Sequence, residues 1–141
     1  MKKPKFLTGE EAAAMIKDDS TIATIGMTLV SASETILKAI ENRFLETGSP
    51  NHLTLVHSCG QSDRDRGIQH FSHEGMLHRI IGGHWGLQPR MMKLIAENKI
   101  LAYCIPQGQF AQLYRSMAGG EPGKITKVGL GTFIDPRIDG G

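Results

Sequence analysis

The stretch that decides the fold runs from residue 21 to residue 58. It contains TIATIG at residues 21–26, SASETILKAIENRFLETG at residues 31–48 and HLTLVHS at residues 52–58. The first and third segments are short and rich in β-branched residues, which is typical of buried strands. The middle segment has the apolar spacing of a helix. A strand, a helix and a second strand in this order predict a parallel crossover unit.

Capping boxes predict where the first helices begin. Thr8-x-x-Glu11 opens a helix predicted from about Gly9 to Lys17, and Ser31-x-x-Glu34 opens the helix of the middle segment, which Gly48 ends. Helical spacing predicts the inward faces, which are Ala12, Met15 and Ile16 in the first helix and Ile36, Leu37, Ile40 and Phe44 in the second.

The pattern recurs in the second half of the chain. LHRIIGGHWG at residues 77–86 and ILAYCIP at residues 100–106 predict strands, while QPRMMKLIAENK at residues 88–99 and QFAQLYRSMAGG at residues 109–120 predict helices. Their predicted inward residues are Met91, Leu94 and Ile95 in the first, and Phe110, Leu113, Tyr114 and Met117 in the second. The sequence therefore predicts an α/β domain over residues 1–141, with an open, mostly parallel sheet and helices on both faces.

Composition excludes several classes of protein. Of the 141 residues, 40% are hydrophobic and 21% are charged, as in globular domains, and no apolar run approaches the ~20 residues of a membrane span. Acidic residues follow Met1-Lys2-Lys3 where a secretory signal would be apolar, so we expect a cytoplasmic protein with Cys59 and Cys104 reduced. The net charge of +2 is dispersed and aromatic residues are few, which disfavours a nucleic-acid partner.

Ligands of open parallel sheets bind beyond the carboxyl ends of the strands. The candidate binding residues are therefore those that follow each predicted strand. Gln107 is the most suggestive of them, because it lies between Pro106 and Gly108 at a strand-to-helix turn. Its amide either points into the ligand crevice or caps the helix that follows, and the spacing alone supports both readings equally.

Two other kinds of site are weaker hypotheses. His70-x-x-His73-Glu74 resembles no zinc signature, so histidines that structure a loop are the default interpretation and no metal is expected. Cys59 follows a strand near His57 and His84, but a free cysteine is more often buried than nucleophilic. The glycine-rich stretches match neither GxGxxG nor a P-loop.

Nearly the whole chain, from about Phe6 onward, resembles the amino-terminal half of family I CoA-transferases, in the acetate/propionate and 3-ketoacid group. The resemblance is carried by TIATIGMTLVSASE, GQSDRDRGIQHFSHEGMLHRIIGGHWG, IPQGQFAQLYRSMAGGEPG and KVGLGTFIDPRIDGG. It implies a three-layer α/β/α fold and transfer of CoA from a short-chain acyl-CoA to a free carboxylate through a glutamyl-CoA thioester. It also implies a homo-oligomer without a cofactor, since coenzyme A is a substrate.

In that family the nucleophilic glutamate lies in the carboxy-terminal half, in a motif that these residues do not contain. The resemblance therefore implies no catalytic residue in this chain, dependence on a carboxy-terminal half or β subunit, and no activity of the chain alone. It implies that Gln107 borders the active site and that the candidate substrate-binding residues are Gln107, Gly26, Met27, Thr28, Ser58, Gln61 and His84.

Departures from the family pattern leave the acyl preference open. Many relatives have Gly-Gly-Phe where this chain has Ile25-Gly26-Met27, and asparagines where it has Ser58-Cys59. Two alternatives from other classes remain. One is a non-catalytic α/β domain that senses a small molecule, and the other is a complete small hydrolase or metalloenzyme that uses the histidine and cysteine residues.

Overall fold

The sheet has four parallel strands that lie side by side in chain order. The computed structural model describes residues 4–140, so Lys2 and Lys3 lie outside the described residues. The strands are β1 (Thr21–Thr24), β2 (Leu53–His57), β3 (Leu77–Gly82) and β4 (Leu101–Cys104). Each strand pairs in parallel with the next. The predicted open parallel α/β fold is confirmed.

The helices connect these strands. They are α1 (Gly9–Ala14), α2 (Glu34–Thr47), α3 (Pro89–Ala96) and α4 (Gln107–Ala118), and a 3₁₀ helix over Gly67–Phe71 links β2 to β3. Right-handed crossovers between strands in sequential order bring the connecting helices to one face of the sheet. One apolar core lies on that face and joins α1, α2, the 3₁₀ helix and α3 to the strands; it includes Ala13, Leu37, Ile40, Leu55, Phe71, Ile80 and Met91.

The second face of the sheet carries the alternate strand residues. Ile81 and Tyr103 lie on this face, and a cavity of about 560 Å³ separates them from Ile134 and Pro136 near the end of the chain. Helix α4 returns toward the opposite edge of the sheet, where the hydroxyl of Tyr114 donates to the Thr24 carbonyl at 3.4 Å. None of the helices within residues 4–140 has the length and apolar character needed to cross a bilayer.

One predicted capping box is confirmed and the other is wrong. Thr8 and Glu11 form the reciprocal pair at the start of α1, with N···O distances of 2.8 and 3.2 Å. At α2 the N-cap is Ser33, whose side chain makes no capping hydrogen bond. The reason is tertiary, because the Glu34 carboxylate instead accepts from the backbone N–H of Gly67 at 2.9 Å.

The predicted inward faces are partly correct, since in α1 the buried residue is Ala13 and not the predicted Ala12, and Leu113 and Tyr114 of α4 are only half-buried. Leu37, Ile40, Met91 and Phe110 are buried as expected. Met15 is 69% exposed because α1 ends at Ala14, and Met117 is 53% exposed in the last turn of α4. Ile36 is partly exposed, at 39%. Terminal turns extend past the packed layer, so helical spacing there does not report burial.

Candidate functional site

The loops after β1 and β2 are joined at the carboxyl edge of the sheet. The backbone N–H of Thr28 donates to the carbonyl of Gly60 at 2.8 Å. The thiol of Cys59 donates to the carbonyl of Gly26, with Sγ···O at 2.9 Å. Because one bond is made in each direction, the two loops hold a fixed relative position.

The loops after β2 and β3 are in close contact because each has a glycine where it meets the other loop. Gly60 lies against His84, and Gly83 lies against Ser58. A β-carbon on Gly60 would lie 2.8 Å from Cε1 of His84, and a side chain on Gly83 would clash with the carbonyl of Ser58. The same position on Gly83 would be 3.5 Å from Cβ of Gln107. The structure therefore brings Gln107 and His84 to the same edge as the first two loops.

The loop after β1 is a tight turn with its side chains outward. Met27 and Val30 exchange backbone hydrogen bonds of 3.1 and 2.9 Å. Gly26 has φ +141°, and a β-carbon there would be 2.7 Å from the Val30 carbonyl, so only glycine fits. Met27 is 62% exposed, and Thr28 is exposed with φ 51°. Met27 and Thr28 thus present their side chains to solvent at the carboxyl edge.

Gln107 is the first residue of α4 and its side chain is exposed. The residue at the N-cap is Pro106, and within the described chain no side chain caps this helix. The capping role that the sequence left open for Gln107 is therefore not seen. Its amide is free to meet a ligand at the sheet edge.

Gln61 differs from the other candidate residues. Its side chain is fully buried, and neither its amide nitrogen nor its amide oxygen has a hydrogen-bond partner among residues 4–140. It lines a cavity between β1 and α2 and does not face the exposed edge. Its backbone carbonyl accepts from Ile68 at 2.9 Å, which fixes the start of the loop after β2.

Sequence reasoning gave His57 only a minor role, but the structure buries its ring at the end of β2, beside the loop that follows. Its ring is fully buried, and Nδ1 lies 2.8 Å from the Cys59 carbonyl, so Nδ1 carries the proton and donates. Burial lowers the pKa of His57 to about 4, against the effect of this bond and together with the nearby His84. His57 is therefore a neutral support for the loop that carries Ser58 and Cys59.

Cys59 does not have the surroundings of a nucleophile. Burial raises the pKa of the Cys59 thiol, and the thiol proton is donated to Gly26. A reactive cysteine needs a stabilised thiolate. The structure supports the structural interpretation of Cys59.

The segment of His70 and His73, at which a metal site was the weaker hypothesis, is held to α2 by hydrogen bonds to carboxylates. His70 lies 2.7 Å from Glu34 through Nε2 and 2.7 Å from Glu41 through Nδ1, and His73 lies 2.7 Å from Glu41. Burial opposes ionisation of Glu41, but hydrogen bonds from Lys38, His73 and His70 outweigh it and lower its pKa to about 2. Residues 4–140 contain no group of His, Cys, Asp and Glu side chains arranged to hold a metal ion. These contacts tie the loop after β2 to α2.

The glycine-rich segment at residues 128–140 lies over the carboxyl ends of β3 and β4. It encloses a cavity of about 450 Å³ with Gly83, Cys104 and Pro106. Asp135 holds the segment by accepting from Gly131 at 2.8 Å and pairing with Arg137, and the hydrogen bonds from Arg137 and Gly131 keep the pKa of Asp135 well below its usual range. This cavity adjoins Gln107 through Pro106.

A family model described as coenzyme A transferase matches residues 6–140. The chain belongs to this family. Its curated relatives include the caffeate CoA-transferase of Acetobacterium woodii, 41% identical over 97% of this chain, and the acetate CoA-transferase YdiF of Escherichia coli K12, 37% identical over 96%. This coenzyme A transferase chain spans only 26% of the length of each of these relatives.

Solved structures give the same result. The chain superposes on the acyl-CoA transferase YdiF of E. coli O157:H7, described as a thioester complex with CoA, with a TM-score of 0.89 and 37% identity. The match covers 96% of this chain and 28% of that one.

The alpha subunit of the E. coli K12 acetate CoA-transferase is another sequence relative, 25% identical over 94% of this chain, which covers 58% of the subunit.

Proposed function

We propose that this chain forms the amino-terminal wall of the active site in an enzyme that transfers CoA between a short-chain acyl-CoA and a free carboxylate. The observation that carries the proposal is the contact between the loops of Thr28, Gly60 and His84, with Gln107 beside them at one sheet edge. Ligands of parallel sheets bind at this edge. The names of both relatives support CoA transfer to a carboxylate, and acetate in one of them supports a short-chain acid.

The proposed chemistry passes through a glutamyl-CoA thioester. The carboxylate of the enzyme's nucleophilic glutamate attacks the acyl thioester, which gives a mixed acyl-glutamyl anhydride and free CoA thiolate. The thiolate then attacks the glutamyl carbonyl of the anhydride, which releases the acyl group as a carboxylate and leaves glutamyl-CoA. Covalent catalysis of this kind divides one exchange into easier steps.

The partners and exposure of the glutamates within residues 4–140 support a nucleophile from outside this chain. Glu11 caps α1, Glu34 and Glu41 bind His70, and Glu74 pairs with Lys99 at 2.7 Å. Glu10, Glu46, Glu97 and Glu121 are exposed, the first two on α1 and α2 and the other two in loops. We therefore propose that a carboxy-terminal half or β subunit supplies the nucleophile, in a cytoplasmic homo-oligomer with CoA as substrate and no resident cofactor.

Gln107 is the residue of this chain that we assign to the reacting groups. Its exposed amide can donate a hydrogen bond to the oxygen on which negative charge develops during acyl transfer. Loss of one such donor typically lowers kcat by roughly 100-fold. His57 and Cys59 act as positioning residues, because they hold the neighbouring loop and do not face the edge themselves.

An exchange assay between acyl-CoA and acetate tests the proposal. The chain is assayed alone and after addition of the carboxy-terminal half of the E. coli acetate CoA-transferase YdiF. The wild-type chain, the variant Gln107→Ala and the control Gln112→Ala are compared. Gln112 is exposed on the same helix. We expect activity only in the mixture, a loss of roughly 100-fold for Gln107→Ala and no change for the control.

Other outcomes would reject parts of the proposal. An unchanged rate for Gln107→Ala would remove this residue from the site. Activity of the chain alone would show that it holds its own nucleophile. Binding of an acyl-CoA or a carboxylate without exchange in any mixture would favour the alternative of a small-molecule-sensing domain.

A further inference from the structure

Arg79 is a half-buried cation on the second face of the sheet. It lies in β3 opposite Thr54 of β2 and Leu101 of β4, and alternation along the strand places it on the same face as Ile81. The Nε atom of its guanidinium group is buried and has no hydrogen-bond partner among residues 4–140. No ion pair within these residues includes Arg79.

The buried Nε atom is informative because polar groups inside proteins are nearly always paired. A buried donor without an acceptor costs free energy, and the cost is larger for a charged group. An anion that accepts from the guanidinium group removes this cost. Arginine presents its donors as a planar fork, which matches the two oxygens of a carboxylate. Arg79 is therefore a candidate anion-binding residue.

Arg79 lines the cavity of about 560 Å³ on this face of the sheet. That volume falls within the range of about 300–1,000 Å³ for small-molecule pockets. Apart from Arg79, the side chains in its wall are mainly apolar and are those of Ile81, Tyr103, Cys104, Ile105, Ile134 and Pro136. Among the described residues, the wall has no acidic side chain that could neutralise Arg79. Tyr103 is 40% exposed, so the cavity reaches the surface and a small molecule can enter it.

The lining restricts the ligand to a monoanion with an apolar body. One guanidinium group balances one negative charge, and the Tyr103 hydroxyl can add a further donor. A phosphate dianion would bring a second charge that no other cation in the described wall balances. The aliphatic side chains of Ile81, Ile105 and Ile134 suit a hydrocarbon chain. We propose that this cavity binds an apolar monocarboxylate, with its carboxylate on Arg79 and its chain against the isoleucines.

This site is separate from the proposed active site. Arg79 lies three residues before Gly82, the last residue of β3, which places its Cα about 10 Å from the carboxyl end of the strand. Its side chain is on the second face, whereas Gln107 lies at the edge beyond the strands. A carboxylate on Arg79 is therefore a bound ligand and not the acceptor that reacts. Binding there does not depend on the proposed transferase activity.

Two probes of equal chain length test the contact with the carboxylate. Octanoate is an anion at neutral pH, and octanamide has the same chain without the charge. Isothermal titration calorimetry of the chain should show that octanoate binds roughly tenfold more tightly than octanamide. In an NMR titration, octanoate should shift the Nε–H signal of Arg79.

Variants of the chain locate the contact. Arg79→Met removes the charge and keeps a long side chain, so it should bring the two affinities together. Arg115→Met removes an exposed charge on α4 and should keep the preference for octanoate. The comparison of the two probes on the unaltered chain provides the test if Arg79→Met does not fold.

Three results would overturn the assignment directly. They are equal affinities of the two probes for the unaltered chain, an unshifted Arg79 signal and an unchanged octanoate affinity in Arg79→Met. Loss of octanoate binding in Gln107→Ala, with full binding in Arg79→Met, would place the carboxylate at the sheet edge instead. Release of bound octanoate on addition of the carboxy-terminal half of YdiF would mean that protein covers the cavity, which would also contradict a small-molecule site.

Discussion

His57 and Gly82 face each other in register on β2 and β3, and the imidazole ring of His57 fills the space of a β-carbon at position 82. The two positions are therefore coupled. The histidine ring fits because residue 82 has no side chain, and the ring in turn supports the carbonyl of Cys59. In the same way, the ring of His84 occupies the space that a β-carbon at position 60 would need.

Replacement of Gly82 by alanine should destabilise the protein by about 3 kcal/mol, because a rigid buried ring and the adjacent strand cannot both move away from the new methyl group. Urea denaturation measures this. Gly108→Ala is the matched control, since an added β-carbon there meets no atom within 4 Å. The control should be neutral or stabilising by up to about 1 kcal/mol. Equal stability of the two variants would contradict the coupling.

Stability should fall as the pH is lowered from about 6.5 to about 4. The ordinary pKa of His57 is 6.5, and burial lowers it to about 4 in the folded chain. Between these values the unfolded chain binds a proton that the folded chain excludes, so unfolding is favoured by roughly 3 kcal/mol at the lower end. Above pH 6.5 both states are neutral at this residue and the effect vanishes.

Denaturation curves across this pH range, together with an NMR titration of the His57 ring, check that prediction. His57→Gln removes the titrating ring and should flatten the fall in stability over this pH range. A His57 ring that titrates near 6.5 in the folded protein would exclude the assigned burial effect.

Breaking the contact between His70 and Glu41 should cost about 2 kcal/mol, because each change removes a buried hydrogen bond to a carboxylate, while Glu41 keeps Lys38 and His73 and His70 keeps Glu34. We expect His70→Gln and Glu41→Gln to be non-additive, with the double variant less destabilised than the sum of the single changes. Glu74→Gln removes the exposed ion pair with Lys99 and should cost no more than about 1 kcal/mol. Additive effects at His70 and Glu41 would show that the two side chains do not interact.

The Cys59 thiol should react slowly with alkylating reagents at pH 8 in the native protein and rapidly after unfolding. Burial raises its pKa and shields the sulfur, so little thiolate is available. Mass spectrometry after timed iodoacetamide treatment measures the rate. Cys59→Ser should retain exchange activity in the mixed assay, whereas complete loss of activity in a folded variant would revive the hypothesis of a nucleophilic cysteine.

The sequence predicted the elements of the fold well because their signals are local. Apolar spacing identified α2, α3 and α4, and β-branched runs identified the strands. The loops after the strands were correctly expected to share one edge, because parallel strands end on the same side. The resemblance to CoA-transferases is confirmed by the family match.

Other features depend on contacts between distant residues and escaped prediction. The Ser31 capping box failed because His70 and Gly67 engage the Glu34 carboxylate from 36 and 33 residues away. The 3₁₀ helix over Gly67–Phe71 has no apolar period that a sequence scan would detect.

The sequence by itself determined the order of strands and helices along the chain, the family and the edge at which we propose that a ligand binds, because each follows from short-range pattern or from matched motifs. The tertiary structure alone decided which candidate side chains face that edge. Gln107 remains exposed there, whereas Gln61 turns into a cavity beside α2 and His57 is buried against Gly82. Side-chain direction in these loops depends on close packing between separate segments, which local sequence does not encode.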